Sequence, residues 1–430
     1  MKNNYTVHEN SYLHEKYYYI KHKSGLDIYV FPKDLSVSYA LFGTKYGSVD
    51  NRFRLKGEKD YTVVPDGIAH YLEHKMFENE DGQDTFARFA KTGACANAYT
   101  SFNMTAYLFS CTEKLYDSLD ILLDYVTKPY FTPETVAKEQ GIIGQEIRMG
   151  EDNPERAILF GMLKALYAKN NVRLEIAGTV ESISHITANI LYKCYNTFYN
   201  LHNMSLVVCG QADPDKVIEA ADKILPIQSD PGIESVGEPE TDEVAMKRWV
   251  KKMQVSKTMF DIGIKNNHIA QDPRERMKIT AGMSILTDMM FGRTSSFYNT
   301  LYEEGLISPS FDAWSINCRQ HSYTSISGES EKPEEVYDRF IKYIENLKQD
   351  GLDRAAFERC KRVALAGFVK SFDSTDDIAN NFLSYVFDDG DMLDYADVLS
   401  EIDFEYITSM LFDMFNEKYY AMAVVEPLDA

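Results

Sequence analysis

Residues 186–210, ITANILYKCYNTFYNLHNMSLVVCG, read as an amphipathic helix running into a strand, with Leu191, Tyr195 and Phe198 at helical spacing on the core side. Residues 403–427, DFEYITSMLFDMFNEKYYAMAVVEP, show the same pattern at the end of the chain. The two strands, 203–210 and 419–427, lie 216 residues apart in a chain of 430. The match is one of pattern rather than residue identity, and it points to duplication of one α+β unit. Text upstream of the first strand is of the same kind. Strands are predicted within 22–32 and 37–49, and an antiparallel pair within CANAYTSFNMTAYLFSC, 95–111. Helices are predicted over 65–77, 84–93, 114–128, 133–152 and 154–169. Asp66 is read as the N-cap of the first of these, whose Ile68, Leu72 and Met76 recur every four residues.

Between the two patterns lies SDPGIESVGEPETDEV, residues 229–244, with Pro231, Pro239, Gly232, Gly237 and six acids. Such text builds no core face and reads as an extended acidic linker. The predicted division is therefore a lobe at 1–228, a linker at 229–244 and a second lobe at 245–430.

Composition narrows the function classes. Hydrophobic residues make up 44% and charged residues 26%, an ordinary globular balance that excludes a disordered or collagen-like chain. The net charge of −21 repels phosphate, which argues against nucleic-acid binding and against docking on anionic lipid. No apolar stretch approaches the roughly 20 residues of a membrane span, and the polar opening MKNNYTVHEN lacks a signal-peptide core, so the expected location is cytoplasmic. The six cysteines are scattered, with no CxxC pair, and are read as buried reduced thiols. GIIGQE at 141–146 sits in a helical pattern and lacks the lysine of a phosphate-binding loop.

The chemistry is concentrated in His70-Tyr71-Leu72-Glu73-His74. Residues four apart on a helix share a face, so both imidazoles can reach one Zn²⁺, and Glu73 borders that face as a proton acceptor. The order HxxEH is the inverse of HExxH and occurs among zinc peptidases. A solvated surface helix would carry the same letters. A catalytic zinc needs a third protein ligand, and the helix over 133–150 offers Glu139 and Glu146, two turns apart on one face. Glutamates so spaced are commonplace, and the spacing alone does not choose between them.

Taken together, GIAHYLEHKMFE, NAYTSFNMTAYLFS and KEQGIIGQEI resemble the pitrilysin/insulinase-type metallopeptidases, whose members include insulin-degrading enzyme and mitochondrial processing peptidase. Similarity extends through residue 210, more loosely beyond, and is strongest to a small bacterial two-lobe subgroup. The resemblance implies two homologous α+β lobes, each an antiparallel or mixed sheet covered by helices, joined by the acidic linker. It implies one Zn²⁺ per chain held by His70, His74 and Glu146, the last 76 residues beyond the first. Glu139 is then a partner of a ligating histidine, and Glu73 the catalytic base. Substrate is expected to add as a strand along an edge carrying a Gly…Asn-Ala motif, which Gly93, Asn97 and Ala98 resemble. The implied activity is zinc-dependent endopeptidase action on unfolded peptides or small proteins within an enclosed chamber. The alternative is a non-catalytic scaffold or peptide-binding subunit of the same fold.

One departure is visible. Active members carry an arginine and a tyrosine in the second lobe that help stabilise the oxyanion. Here Tyr302 stands at the arginine position and Ser308 or Pro309 at the tyrosine position, while Arg293 is at the wrong offset. A chain with the zinc motif and without that pair resembles the catalytic half of a heterodimer. The expected partner is a paralogue that supplies the pair, otherwise a second copy of the chain.

Overall fold

The computed structural model describes residues 5–267 and 269–428. The chain forms two compact units. The first takes in the chain through Ile147, Leu174–Gly237 and Val369–Leu393, and the second Arg148–Arg173, Glu238–Phe368 and the chain from Asp394 on.

Each unit is built on a sheet with the same internal order. In the first, Asp27–Pro32 lies parallel to the wholly buried Met204–Gly210, followed by antiparallel neighbours Ser38–Thr44, Thr105–Cys111 and Cys95–Thr100. In the second, Arg248–Met253 lies parallel to Tyr420–Pro427, followed by antiparallel Met259–Lys265, Ser322–Glu329 and Asp312–Asn317. The predicted strands 203–210 and 419–427 thus occupy equivalent places, and the two-lobe α+β architecture stands. Two further strands, Thr6–Asn10 and Glu15–Lys21, extend the first sheet to seven.

Helices cover these sheets through apolar stripes. Leu115–Val126 buries Leu119, Leu122, Leu123 and Val126 against the first sheet. Thr375–Phe387, from late in the chain, covers the same sheet and sets the Phe382 ring 4.7–4.9 Å from Tyr17, Tyr29 and Phe31. Burial of such a ring is worth about 2–3 kcal/mol. Pro154–Leu166 covers the second sheet instead, and a side chain at Gly161 would meet the Trp249 ring at 2.3 Å.

The lobe boundaries predicted from sequence therefore need correction. Residues 148–173, assigned to 1–228, pack with the second unit, and 369–393, assigned to 245–430, pack with the first. An amphipathic stripe states that a helix needs a sheet, not which sheet. The 229–244 segment is extended but is not free. Ile233–Ser235 pairs with Arg52–Leu55. Farther along, Glu240 accepts the amides of Ala168, Lys169 and Asn170 at 3.0, 2.8 and 2.6 Å and pairs with the buried Lys265 at 3.1 Å. Burial opposes the Glu240 charge, but these backbone donors outweigh it and hold its pKa at about 2.

Cysteine burial is mixed. All six are free, and Cys111, Cys194, Cys209 and Cys360 are buried as expected, whereas Cys95 is exposed and Cys318 half-buried. Among the described residues no helix is long and apolar enough to cross a membrane.

Asp261, on Met259–Lys265, is only 2% exposed and accepts the Ser325 hydroxyl at 2.8 Å. Burial pushes its pKa up to about 7, against the smaller opposing effect of its hydrogen bonds. The fold thus favours the protonated acid. This stability is fully present below the ordinary aspartate range and lost as pH rises through about 7. Both tryptophans, Trp249 and Trp314, lie in the second unit, so their fluorescence reports its unfolding. Urea unfolding followed this way should lose a few kcal/mol between pH 5 and 8, and Asp261→Asn should flatten the dependence.

Candidate metal centre

The histidine helix, Ile68–Lys75, turns Ile68, Ala69, Tyr71 and Leu72 into the core and leaves His70 and His74 together on another face. Their ring centroids are 4.7 Å apart. The helix does not begin as predicted. Asp66 does not cap it: the N-cap position is Gly67, with no side-chain cap bond, and Asp66 Oδ1 accepts the Asn51 side-chain amide at 2.7 Å. Gly67 precedes the first turn with φ 91°, and a Cβ there would meet the Ala177 carbonyl oxygen at 2.4 Å, so both conformation and space require glycine.

The glutamate helix, Pro133–Glu151, buries Val136, Ile143 and Ile147 and holds Glu139 inward. Tyr71 donates its hydroxyl to the Val136 carbonyl at 2.5 Å, tying the two helices together. Glu146 Oε1 then lies 3.4 Å from His70 Nε2, and Glu146 Oε2 lies 3.4 Å from His74 Nε2. One ligand atom from each of the three residues falls within 4.8 Å of the others. Zinc–ligand bonds of about 2.0–2.1 Å at a tetrahedral angle separate ligand atoms by about 3.3–3.4 Å, which both imidazole–carboxylate separations match, and two imidazoles with a carboxylate are the donor types such an ion takes. Behind the set, Glu139 Oε1 lies 3.0 Å from His74 Nδ1. That contact assigns the proton to Nδ1 and leaves Nε2 as the donor atom. The other histidine lacks such support: His70 Nδ1 is buried with no hydrogen-bond partner among the described residues.

Electrostatics agree with a cation site. Burial would lower the His74 pKa, but hydrogen bonds to Glu139 and Glu146 outweigh it and carry it up to about 9. Hydrogen bonds from His70 and His74 hold Glu146 well below the usual carboxylate range, and the His74 bond lowers Glu139 likewise. Both carboxylates thus keep their charge and favour a positive charge between them.

Glu73 is buried beside the histidines, and its Oε2 accepts the Thr100 hydroxyl at 2.6 Å. Sequence reading missed Thr100. The available signal was the strand period, since Ala96, Ala98 and Thr100 share the face turned toward the histidine helix. Asn97 and Ala98 lie on the same strand, Cys95–Thr100, which ends its sheet with a single neighbour. The Ala98 amide donates to Asn97 Oδ1 at 2.9 Å, and Asn97 is exposed. In the second unit Tyr302 is 47% exposed and stacks on Tyr298, while Ser308 bonds Ser310. Arg293 donates to the Pro309 carbonyl at 3.2 Å.

Comparison with known proteins places this geometry. The family described as insulinase (peptidase family M16) matches residues 62–180, and the peptidase M16 inactive domain matches 185–364. An uncharacterized zinc protease of Bacillus subtilis, YmfH, is 39% identical over 94% of this chain and 95% of its own length. The beta subunit of mitochondrial-processing peptidase of Caenorhabditis elegans is 31% identical over 41% of this chain and 38% of its own. The crystal structure of an M16-like peptidase from Alicyclobacillus acidocaldarius superposes with a TM-score of 0.92, at 32% identity over 100% of both chains. The chain belongs to the M16, or insulinase, family of peptidases.

Proposed function

We propose that this protein is a zinc-dependent metalloendopeptidase acting on unfolded peptides. The observation that carries the reading is the convergence of His70 Nε2, His74 Nε2 and the Glu146 carboxylate, each imidazole 3.4 Å from a carboxylate oxygen. Three protein ligands of this kind leave a fourth position for water or substrate. Zn²⁺ held there supplies Lewis acidity toward a carbonyl and lowers the pKa of water toward neutrality. Around it the chain's own groups divide the work. Glu139 keeps the His74 ring in one tautomer and one orientation. Glu73, with Oε2 committed to Thr100, has Oε1 left to accept a proton from water and return it to the leaving amine. The open edge of Cys95–Thr100 offers main-chain pairing to an extended peptide, which makes little demand on its sequence. Six free cysteines suit a reducing compartment, and we place the protein in the cytoplasm.

The second unit supports a division of labour. The match to the M16 inactive domain covers much of it, and Tyr302 and Ser308 stand where the resemblance leads one to expect arginine and tyrosine. We infer a heterodimer in which a paralogue supplies that pair.

Elemental analysis of the purified chain should find about one zinc per chain, lost on Glu146→Gln, as the three-ligand site requires. Glu73→Gln should keep the zinc and lose turnover of unstructured peptides by about 10²–10⁴-fold. A zinc-free wild-type chain after reconstitution would move the reading to a non-catalytic scaffold subunit. Glu139→Gln should weaken zinc binding about 10–100-fold in competition with a chelator. Turnover by the chain alone should rise on adding the paralogue, and full activity without it would overturn the heterodimer.

A further inference from the structure

We propose that Thr100 is the positioning residue for Glu73, fixing the base to the strand that is to receive the peptide. The proposal rests on the peptidase reading above. Its basis is a chain of assigned hydrogen bonds. Thr105 Oγ1 donates its single proton to the Tyr46 carbonyl at 2.9 Å. It therefore has none left for Thr100 Oγ1, 3.3 Å away. The Thr100 proton goes to Glu73 Oε2, at 2.6 Å, within the range of a charge-assisted O–H···O⁻ bond.

Among the described residues no other side chain restrains the carboxylate in this way. Three buried phenols lie within electrostatic reach of Glu73. Tyr107 and Tyr199 hydrogen-bond each other at 2.7 Å, and the Tyr125 hydroxyl has no hydrogen-bond partner among the described residues. Among the described residues Thr100 is the one side chain that hydrogen-bonds Glu73. One carboxylate oxygen is thus engaged by Thr100 and the other stays available for proton transfer.

Location gives the bond its consequence. Thr100 is the last residue of Cys95–Thr100, two residues beyond Ala98 on the same face. A peptide pairing with that edge and a base anchored to that strand share one rigid reference. The proton acceptor is then registered to the receiving edge before any substrate arrives, so a peptide that pairs there meets the base in a near-attack geometry.

The test compares Thr100→Val, which keeps the shape and removes the donor, with Thr100→Ser, which keeps the donor. The assay uses the zinc-loaded full chain, in its active form, on the best-cleaved member of a panel of unstructured quenched-fluorescent peptides. Thr100→Val should lower kcat by about 10–100-fold, with KM and zinc stoichiometry unchanged, and Thr100→Ser should restore kcat. Independently of activity, Thr100→Val and Glu73→Ala should be non-additive in urea unfolding of the zinc-free chain, since each removes the same bond. An unchanged kcat in Thr100→Val, a loss that serine does not rescue, or an additive cycle overturns the positioning role alone. Zinc-loaded wild type that cleaves no peptide overturns the peptidase reading and this role with it, while the zinc-free cycle still reports whether the bond exists.

Discussion

Two imidazoles are held against two carboxylates where the histidine helix meets the glutamate helix, and the first unit is arranged to keep them there. The carboxylates of Glu139 and Glu146 both face His74, and Glu73 adds a third negative charge nearby. Charges this close, with Glu139 and Glu73 buried, are costly unless a positive charge is shared among them. In the metal-free chain the His74 proton plays that part, which is why its pKa rises despite burial. A divalent cation does the same with more charge. The arrangement tolerates little error, since a slip of one residue turns a helix face by about 100°. Tyr71 on the Val136 carbonyl fixes the register, and buried Ile143 and Ile147 fix the rotation.

Much of the fold is legible in the sequence, for a physical reason. Strands 203–210 and 419–427 are apolar on both faces and preceded by amphipathic helices, a pattern that a central strand buried under helices must have. Their equivalent places, each between one parallel and one antiparallel neighbour, follow from the duplicated unit. What local sequence does not contain is the destination of a helix. The stripe of Pro154–Leu166 is matched by the Trp249 ring, which lies against Gly161, and the stripe of Thr375–Phe387 by the ring cluster at Phe31. Both matches are between residues far apart in the chain. For the same reason 229–244 reads as a free linker, although Glu240 is anchored by partners at 168–170 and 265.

The site divides along the same line. His70 and His74 are legible because helical periodicity alone puts them together. Glu146 becomes legible only through resemblance, since spacing cannot say which face of a distant helix docks here. Asp66 has the right residue type for a cap, yet its side chain is taken by Asn51, fifteen residues away. Thr100 was missed because its hydroxyl looks like any strand threonine until Glu73 is placed 2.6 Å from it. In each case the local signal is sound, and the tertiary partner decides the outcome.

Duplication also shows what the chemistry costs the fold. In the first unit Ser38–Thr44 is followed by the strands Arg52–Leu55 and Thr62–Val63 and then by the short histidine helix, and in the second Met259–Lys265 is followed directly by Pro273–Phe291. That second helix commits its inward positions to packing: Met277, Ile279, Met283, Ile285, Leu286, Met289 and Met290 are all buried. The histidine helix gives up one face to His70, Glu73 and His74 and is only eight residues long. Its stability cannot come from propensity or from a long apolar stripe. It comes from docking: Tyr71 and Leu72 in the core, and the His74–Glu139 bond. The ligands thus serve as part of the packing that holds their own helix. A substitution that frees the metal therefore also loosens the element that presents it, whereas the duplicate helix, packed mainly by apolar side chains beside the buried Arg276 and Thr287, holds no such ligand set among the described residues.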